Sequence, residues 1–269
     1  MALKLNGRRV LLTGASGTFG RALTERLLAE GAHVVGLDLV PAITSPAQII
    51  QCDLSSDAAV PEAVNAALDL LGGLDLLINN AGVGGPAPAE LPPGDEVRRQ
   101  LEVNLLAAWR TTAAAIPALE SSRGRIVFVA SRMAVLPLPL AAAYGVSKRA
   151  LTAYADALRL EVGSHVGVSV VYPSMVASPI HAATATAGLS LEGVSRYEPV
   201  EGVVTAILRA ATAKRAPRDV ATTFRGRVEM SIARHFPSLA AAMVTRTVRS
   251  RLPQLADAPL AEGMRRRAS

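Results

Sequence analysis

Short apolar runs alternate along this chain with longer stretches in which apolar residues recur every three or four positions. The runs are RVLLTG from Arg9, HVVGLDL from His33, AQIIQCDL from Ala47, DLLINNAG from Asp75, RIVFVAS from Arg125 and VSVVYPS from Val168. Each is short and rich in aliphatic residues with no polar alternation, the pattern of a strand buried on both faces. The intervening segments predict helices near 18–30, 58–71, 95–120, 141–163 and 199–213, the first ending at Gly31. Strands and helices in alternation predict an α/β fold, a doubly wound parallel sheet covered on both sides. Ligands of such sheets bind beyond the carboxyl ends of the strands, so the residues just after each run are the first candidates for function.

The first of these places carries the octet TGASGTFG, Thr13 to Gly20. Gly14, Gly17 and Gly20 follow a strand and open a helix. Such a turn lets backbone N–H groups and the positive end of the helix approach a pyrophosphate with no Cβ in the way. Taken alone, the octet leaves both nucleotide binding and a purely structural βα turn open. The next strand adds Asp38, 18 positions beyond Gly20, where a dinucleotide fingerprint carries an acidic residue for the adenosine ribose. A carboxylate there repels a 2′-phosphate, and neither Leu39 nor Val40 supplies a cation, so NAD is expected in preference to NADP.

Bulk properties narrow the picture. At 269 residues, half of them hydrophobic, the chain can bury the core of one ordinary α/β domain. The single cysteine, Cys52, and the absence of a basic-then-apolar leader before the first strand predict a reducing, cytoplasmic setting. The uncharged stretch Val166 to Leu191 is interrupted by prolines and hydroxylated residues, and it predicts a strand followed by a loop rather than a membrane span. The net charge of +6 is unevenly placed: residues 1–208 hold 15 basic and 18 acidic side chains, residues 209–269 hold 13 and 4. That basic tail has few aromatics, so nucleic acid is not an expected partner, whereas contact with anionic lipid or an acidic substrate is open. The four histidines show no ligand spacing, and no metal is expected.

The chemistry is carried by YGVSK. Tyr144 and Lys148 lie four apart in a helical segment and so share a face. A phenol is too weak a base at neutral pH unless a neighbouring ammonium stabilises its phenolate. Ser131 ends the strand RIVFVAS, where its hydroxyl can hold a carbonyl oxygen beside Tyr144.

With these residues together, the chain resembles the short-chain dehydrogenase/reductase family from about Leu5 to Pro179. The resemblance rests on the Gly-rich turn, Asp53 after the third strand, NNAG at Asn79 to Gly82, Asn104, and Ser131 standing 13 positions before Tyr144. It implies a Rossmann-type fold, taken as a single domain over 1–224; the basic C-terminal extension over 225–269 lies beyond the resemblance, and its own pattern predicts a helical segment that acts as a lid, associates with a surface or packs on the core. By the same resemblance Tyr144 is the general acid/base, Lys148 lowers its pKa and binds the nicotinamide ribose, Ser131 orients the substrate oxygen, and Asn104 holds a water in the proton relay. The cofactor would lie along Gly14, Ser16, Gly17, Thr18, Phe19, Gly20, Asp38, Asp53, Leu54, Asn80, Ala81, Gly82, Tyr144, Lys148, Pro173, Val176 and Ser178. Asn79 would stabilise the central sheet.

The chain also departs from the family pattern. Thr18 stands where the middle glycine of T-G-x-x-x-G-x-G belongs and Gly17 precedes it; after the sixth strand Pro173-Ser174 replaces Pro-Gly, with Ser178 in place of Thr. Arg132 is an unusual neighbour for Ser131, either turned away or meeting a polar substrate group. Val83, Val135, Leu136, Leu138 and Met175 predict an apolar pocket, hence an alcohol/ketone or aldehyde of lipid, steroid or terpenoid type. In the tail, Val228 to Leu252 alternates apolar and basic residues and predicts one amphipathic helix, packed on the core or lying on a membrane surface. The short terminal strand of many family members is not evident. The resemblance also implies a homodimer or homotetramer assembled through the long helices, which the Ala-rich faces at 105–118 and 150–158 permit. Two other functions stay open beside the oxidoreductase: a catalytically silent nucleotide-binding scaffold or sensor, and an interaction protein dominated by its basic tail.

Overall fold

The computed structural model describes residues 3–40, 45–178, 180 and 197–250. Seven parallel strands form one sheet: β1 (Arg9–Thr13), β2 (His33–Asp38), β3 (Gln48–Gln51), β4 (Leu76–Asn79), β5 (Arg125–Val129), β6 (Gly167–Tyr172) and β7 (Asp219–Ala221), in the order β3-β2-β1-β4-β5-β6-β7. The first six are the apolar runs of the sequence. The seventh, only three residues long, was not legible as a terminal strand; it pairs Val170 with Asp219 through Tyr172 with Ala221 and completes one edge.

Helices cover both faces. α1 (Thr18–Ala29) lies on one face with α6 (Val200–Thr212); the other carries α2 (Ala59–Leu71), α4 (Ala107–Ser122) and α5 (Ala142–Val162), with a short α3 (Asp95–Leu101) running into α4 through a π-helical turn at Glu102–Leu106. Successive strand residues therefore enter different cores. Val10 and Leu12 pack with Leu23, Leu27, Val204 and Ile207, whereas Leu11 packs with Val64, Leu119 and Leu151. Burial on both sides explains why the five inner strands, β1, β2, β4, β5 and β6, read as continuous apolar runs, whereas the edge strand β3 is flanked by exposed glutamines. Each fully buried leucine contributes about 1.5–3 kcal/mol relative to exposure.

Two expectations are corrected. The predicted helix 95–120 is interrupted by the π turn, and the single tail helix is two: α7 (Phe224–His235) and α8 (Pro237–Arg249). Phe236, at φ −133° and ψ 63°, breaks the run, and Pro237 restarts it as the first residue of α8. A proline ring clashes with the preceding turn inside a helix but fits at its start. α7 is also no detached tail, since its Met230 joins the core beneath α2, α4 and α5.

Strand order reverses between β1 and β4, which places a crevice at the carboxyl ends of these two central strands. Among the described residues no helix is long and apolar enough to cross a membrane.

Candidate active site

The crevice is a cleft of about 1210 Å³. One end is built by the Gly-rich turn. Gly14 takes φ +66°, and a Cβ there would stand 2.8 Å from the Ala81 Cα. A Cβ at Gly20 would stand 2.1 Å from the Gly14 carbonyl oxygen, so this glycine is required by the turn folding onto itself. Gly17 differs: a Cβ there would meet only the Gly14 oxygen, at 3.4 Å. Gly17 is the N-cap of α1 and offers no side-chain acceptor, leaving the first N–H groups of the helix for an anion.

Asp38 ends β2 beside this turn. Its carboxylate accepts from the Ser16 backbone N–H at 2.8 Å and from Val40 N–H at 3.2 Å, which ties this acid to the glycine turn. Asp53 and Leu54 follow β3 on the same wall. The Ser55 hydroxyl and backbone N–H, at 2.6 and 2.9 Å, hold the Asp53 carboxyl below its ordinary value. Asn80 donates to the carbonyls of Thr13 and Gly14 at 3.0 and 3.1 Å, pinning the end of β4 to the turn. Asn79, by contrast, points into the core and donates to Thr112 at 2.9 Å.

The other end of the cleft holds Ser131, Tyr144 and Lys148, with Pro173, Val176 and Ser178. β5 delivers Ser131. α5 delivers Tyr144 and Lys148 from one face, after a turn in which Leu140 takes φ +63°, an unfavourable conformation for a branched residue. Burial pushes the Tyr144 phenol up, and the hydrogen bond with Ser131 pulls it down. The Lys148 ammonium donates to the Val129 carbonyl at 3.0 Å and lies 5.9 Å from the centre of the Tyr144 ring. Burial lowers the Lys148 pKa to about 8. The hydrogen bond with Ser131 acts on the phenol directly, and the Lys148 ammonium stands beside its ring.

Asn104 is buried at the π turn, behind the cleft wall. Its Oδ1 accepts from Val83 N–H at 2.8 Å, while Nδ2 donates to the Val83 carbonyl and the Ser147 hydroxyl, both at 2.9 Å. Both amide hydrogens are used, so the side chain acts as a brace. Ser147 in turn donates to the Tyr144 carbonyl at 2.9 Å. A π turn widens the helix locally, a recurrent feature of functional sites, and here it sets Asn104 against the β4 loop.

Every expected cofactor residue lines the cleft except Gly20, which serves the turn from within. Of the predicted apolar wall, Val83, Leu138 and Met175 are present, joined by Met133 and Ile180, whereas Val135 packs against the core and Leu136 does not line the cleft. Arg98, Arg99 and Arg132 also reach the wall, so it is less apolar than expected. Arg132 pairs with Glu229 of α7 while lining the cleft.

Glu198 escaped the sequence reading. Its buried carboxylate accepts from Ser174 N–H at 2.6 Å and from the Thr222 hydroxyl at 2.9 and 2.7 Å, and its own N–H bonds the Met175 carbonyl at 2.8 Å. It fixes the loop after β6, where Ser174 replaces the family glycine. No linear signal marks it, because each partner is 24 or so positions away. Much of the substrate-covering segment expected between Met175 and Tyr197 lies outside the described residues.

The donor-rich turn, the acid at the end of β2 and the long cleft leading to a phenol fit a dinucleotide. Comparison with known proteins agrees. The short chain dehydrogenase family model matches residues 8–187. A 3-ketodihydrosphingosine reductase of Bacteroides thetaiotaomicron is 33% identical over 168 residues, 61% of this chain and 62%, less than two thirds, of that protein. Among solved structures, a short chain dehydrogenase from Burkholderia cenocepacia in complex with NADP has a TM-score of 0.77 at 24% identity, covering 90% of this chain and 99% of the other. A 3-ketoacyl-(acyl-carrier-protein) reductase from Brucella melitensis complexed with NADH has a TM-score of 0.72 at 27% identity, covering 81% and 98%.

Proposed function

The chain belongs to the short chain dehydrogenase family, and from that premise we propose that it is a nicotinamide-dependent oxidoreductase interconverting an apolar alcohol with its ketone or aldehyde, using NAD in preference to NADP. The observation that carries this reading is the convergence of Ser131, Tyr144 and Lys148 at one end of the cleft whose other end is the Gly14–Gly17 turn.

Gly14, Gly17 and the start of α1 would hold the pyrophosphate, Asp38 the adenosine ribose, and Lys148 the nicotinamide-side ribose. When bound, the nicotinamide supplies or accepts the hydride. In reduction the Tyr144 hydroxyl gives its proton to the substrate oxygen as the carbonyl carbon gains the hydride; in oxidation the phenolate takes the proton from the alcohol. Ser131, hydrogen-bonded to Tyr144, orients that oxygen. Lys148 keeps a positive charge near the phenolate below about pH 8. Asn104 holds the Val83 loop and the Tyr144 turn in register.

Asp38 supports the NAD preference, because its charge opposes a 2′-phosphate. Val83, Met133, Leu138, Met175 and Ile180 support an apolar substrate, in accord with relatives named as a 3-ketodihydrosphingosine and a 3-ketoacyl reductase. Exposed Trp109 on α4 and Val146 on α5 accord with self-assembly through those helices.

Calorimetric titration with NADH and NADPH tests the cofactor, with Asp38→Ala as control: NADH binds more tightly, and the variant loses that advantage. Turnover of long-chain alcohols with NAD then tests the reaction. Tyr144→Phe retains nucleotide binding and loses at least about a hundredfold in kcat. Nucleotide binding with no turnover of any alcohol or ketone would favour the silent scaffold, and binding of neither nucleotide would overturn both readings.

A further inference from the structure

The helical hairpin α7–α8 carries a surface that the dehydrogenase chemistry does not use. Phe224, Val228, Phe236, Leu239 and Met243 are exposed along it, Phe224 and Phe236 to 78% and 63%. On α8, Leu239, Met243 and Arg246 follow one another at spacings of four and three, so they share an exposed stripe, while Ala240 is buried beneath. Between Phe224 and Ser250 the chain holds five arginines and one acidic residue. Glu229 is committed to Arg132 and Arg225, and Arg234 to Asp219. Arg227, Arg246 and Arg249 are exposed with no acidic partner among the described residues.

We propose that this hairpin docks the protein on an anionic lipid surface. Interleaved apolar and basic side chains suit the boundary between head groups and acyl chains, where the first are drawn out of water and the second meet lipid phosphates. A second copy meeting it through the same hairpin would bring the same positive charge to the contact and be repelled. A nucleic acid would satisfy the arginines and leave Leu239, Met243 and Val228 in water. The hairpin also borders the cleft, because Glu229 holds the wall residue Arg132 and Gly226 packs near the Ser174 hydroxyl. Docking there brings the mouth of the site close to the lipid, a placement that serves the apolar substrate of the reading above.

Co-sedimentation of the full chain with phosphatidylcholine vesicles, with and without phosphatidylglycerol, tests this. The protein pellets with the anionic vesicles and not the neutral ones, and the binding weakens as salt rises. The triple substitution Arg227→Gln, Arg246→Gln, Arg249→Gln lowers vesicle affinity about a hundredfold, at roughly one basic contact's worth per residue. Leu239→Glu with Met243→Glu abolishes binding while the far-UV circular dichroism of the folded protein is retained. Absence of binding to anionic vesicles, or binding unchanged in both variants, overturns the proposal. So does self-association or nucleic-acid binding lost in those variants when no vesicle binding occurs. The readout needs no turnover, so its failure leaves the oxidoreductase reading standing.

Discussion

Asn104 and Ser147 are joined by a 2.9 Å hydrogen bond that ties the π turn to the first turns of α5. Ser147 passes the constraint to the Tyr144 carbonyl, and Asn104 passes it to both polar groups of Val83. One buried amide thus fixes two sides of the cleft. Asn104→Ala leaves these groups without partners and is expected to cost about 2 kcal/mol or more in urea unfolding. Misplacement of Tyr144 is expected to lower kcat by roughly a hundredfold. An unchanged kcat would mean that the brace has no part in positioning the phenol.

The glycines of the turn are expected to separate. Gly20→Ala forces a methyl onto the Gly14 carbonyl and the Ala15 backbone, groups that cannot swing away. It is expected to destabilise by about 3 kcal/mol. Gly17→Ala meets one ordinary contact and is expected to cost less than about 1 kcal/mol, the loss being in N-cap preference. Its added carbon narrows the anion seat, so nucleotide affinity falls while the unfolding midpoint barely moves. Equal midpoints for the two variants would contradict this packing.

Lys148 is buried with its pKa lowered from 10.5 to about 8. Between those values the unfolded chain holds a proton that the folded chain lacks, so this group makes stability rise with pH across that window. Below about pH 8 both states are protonated and the folded state carries the whole burial cost. Lys148→Met is therefore expected to raise stability by about 2–3 kcal/mol at pH 7, an advantage that fades toward pH 10.5. Turnover is lost in the same variant. Urea unfolding at pH 7 and pH 10 measures the difference.

Glu198 accepts from two donors, the Ser174 backbone N–H and the Thr222 hydroxyl, whose one proton is shared between both carboxylate oxygens. Glu198→Gln keeps the shape but replaces a charged acceptor atom by a donor, at an expected cost of about 2 kcal/mol. Because Ser174 lies on the cleft wall, the variant is also expected to raise the KM for the nucleotide while Tyr144 chemistry, read as kcat, changes little. A fall in kcat with KM unchanged would place Glu198 elsewhere in the mechanism.

The pattern of apolar runs determined six of the seven strands and the positions of five helical segments, because the five inner strands, buried on both faces, have little freedom to include polar residues, and the edge strand β3 keeps an apolar pair, Ile49 and Ile50. Residues dictated by local backbone geometry were equally legible: glycines that must lie against backbone, an acid at the end of β2, and a tyrosine and lysine one turn apart. Tertiary structure alone decided the rest. Three-residue β7 exists only because β6 offers it an edge, and it has no pattern of its own. Val135 belongs to the core although it stands beside cleft residues in the chain, since the turn after Ser131 aims it inward. Glu198 and Asn104 act on partners 21 to 43 positions away, and Glu229 holds Arg132 from 97. A buried polar group is defined by where its partner folds to, and that information is carried by packing over the whole sheet rather than by any neighbourhood of the sequence.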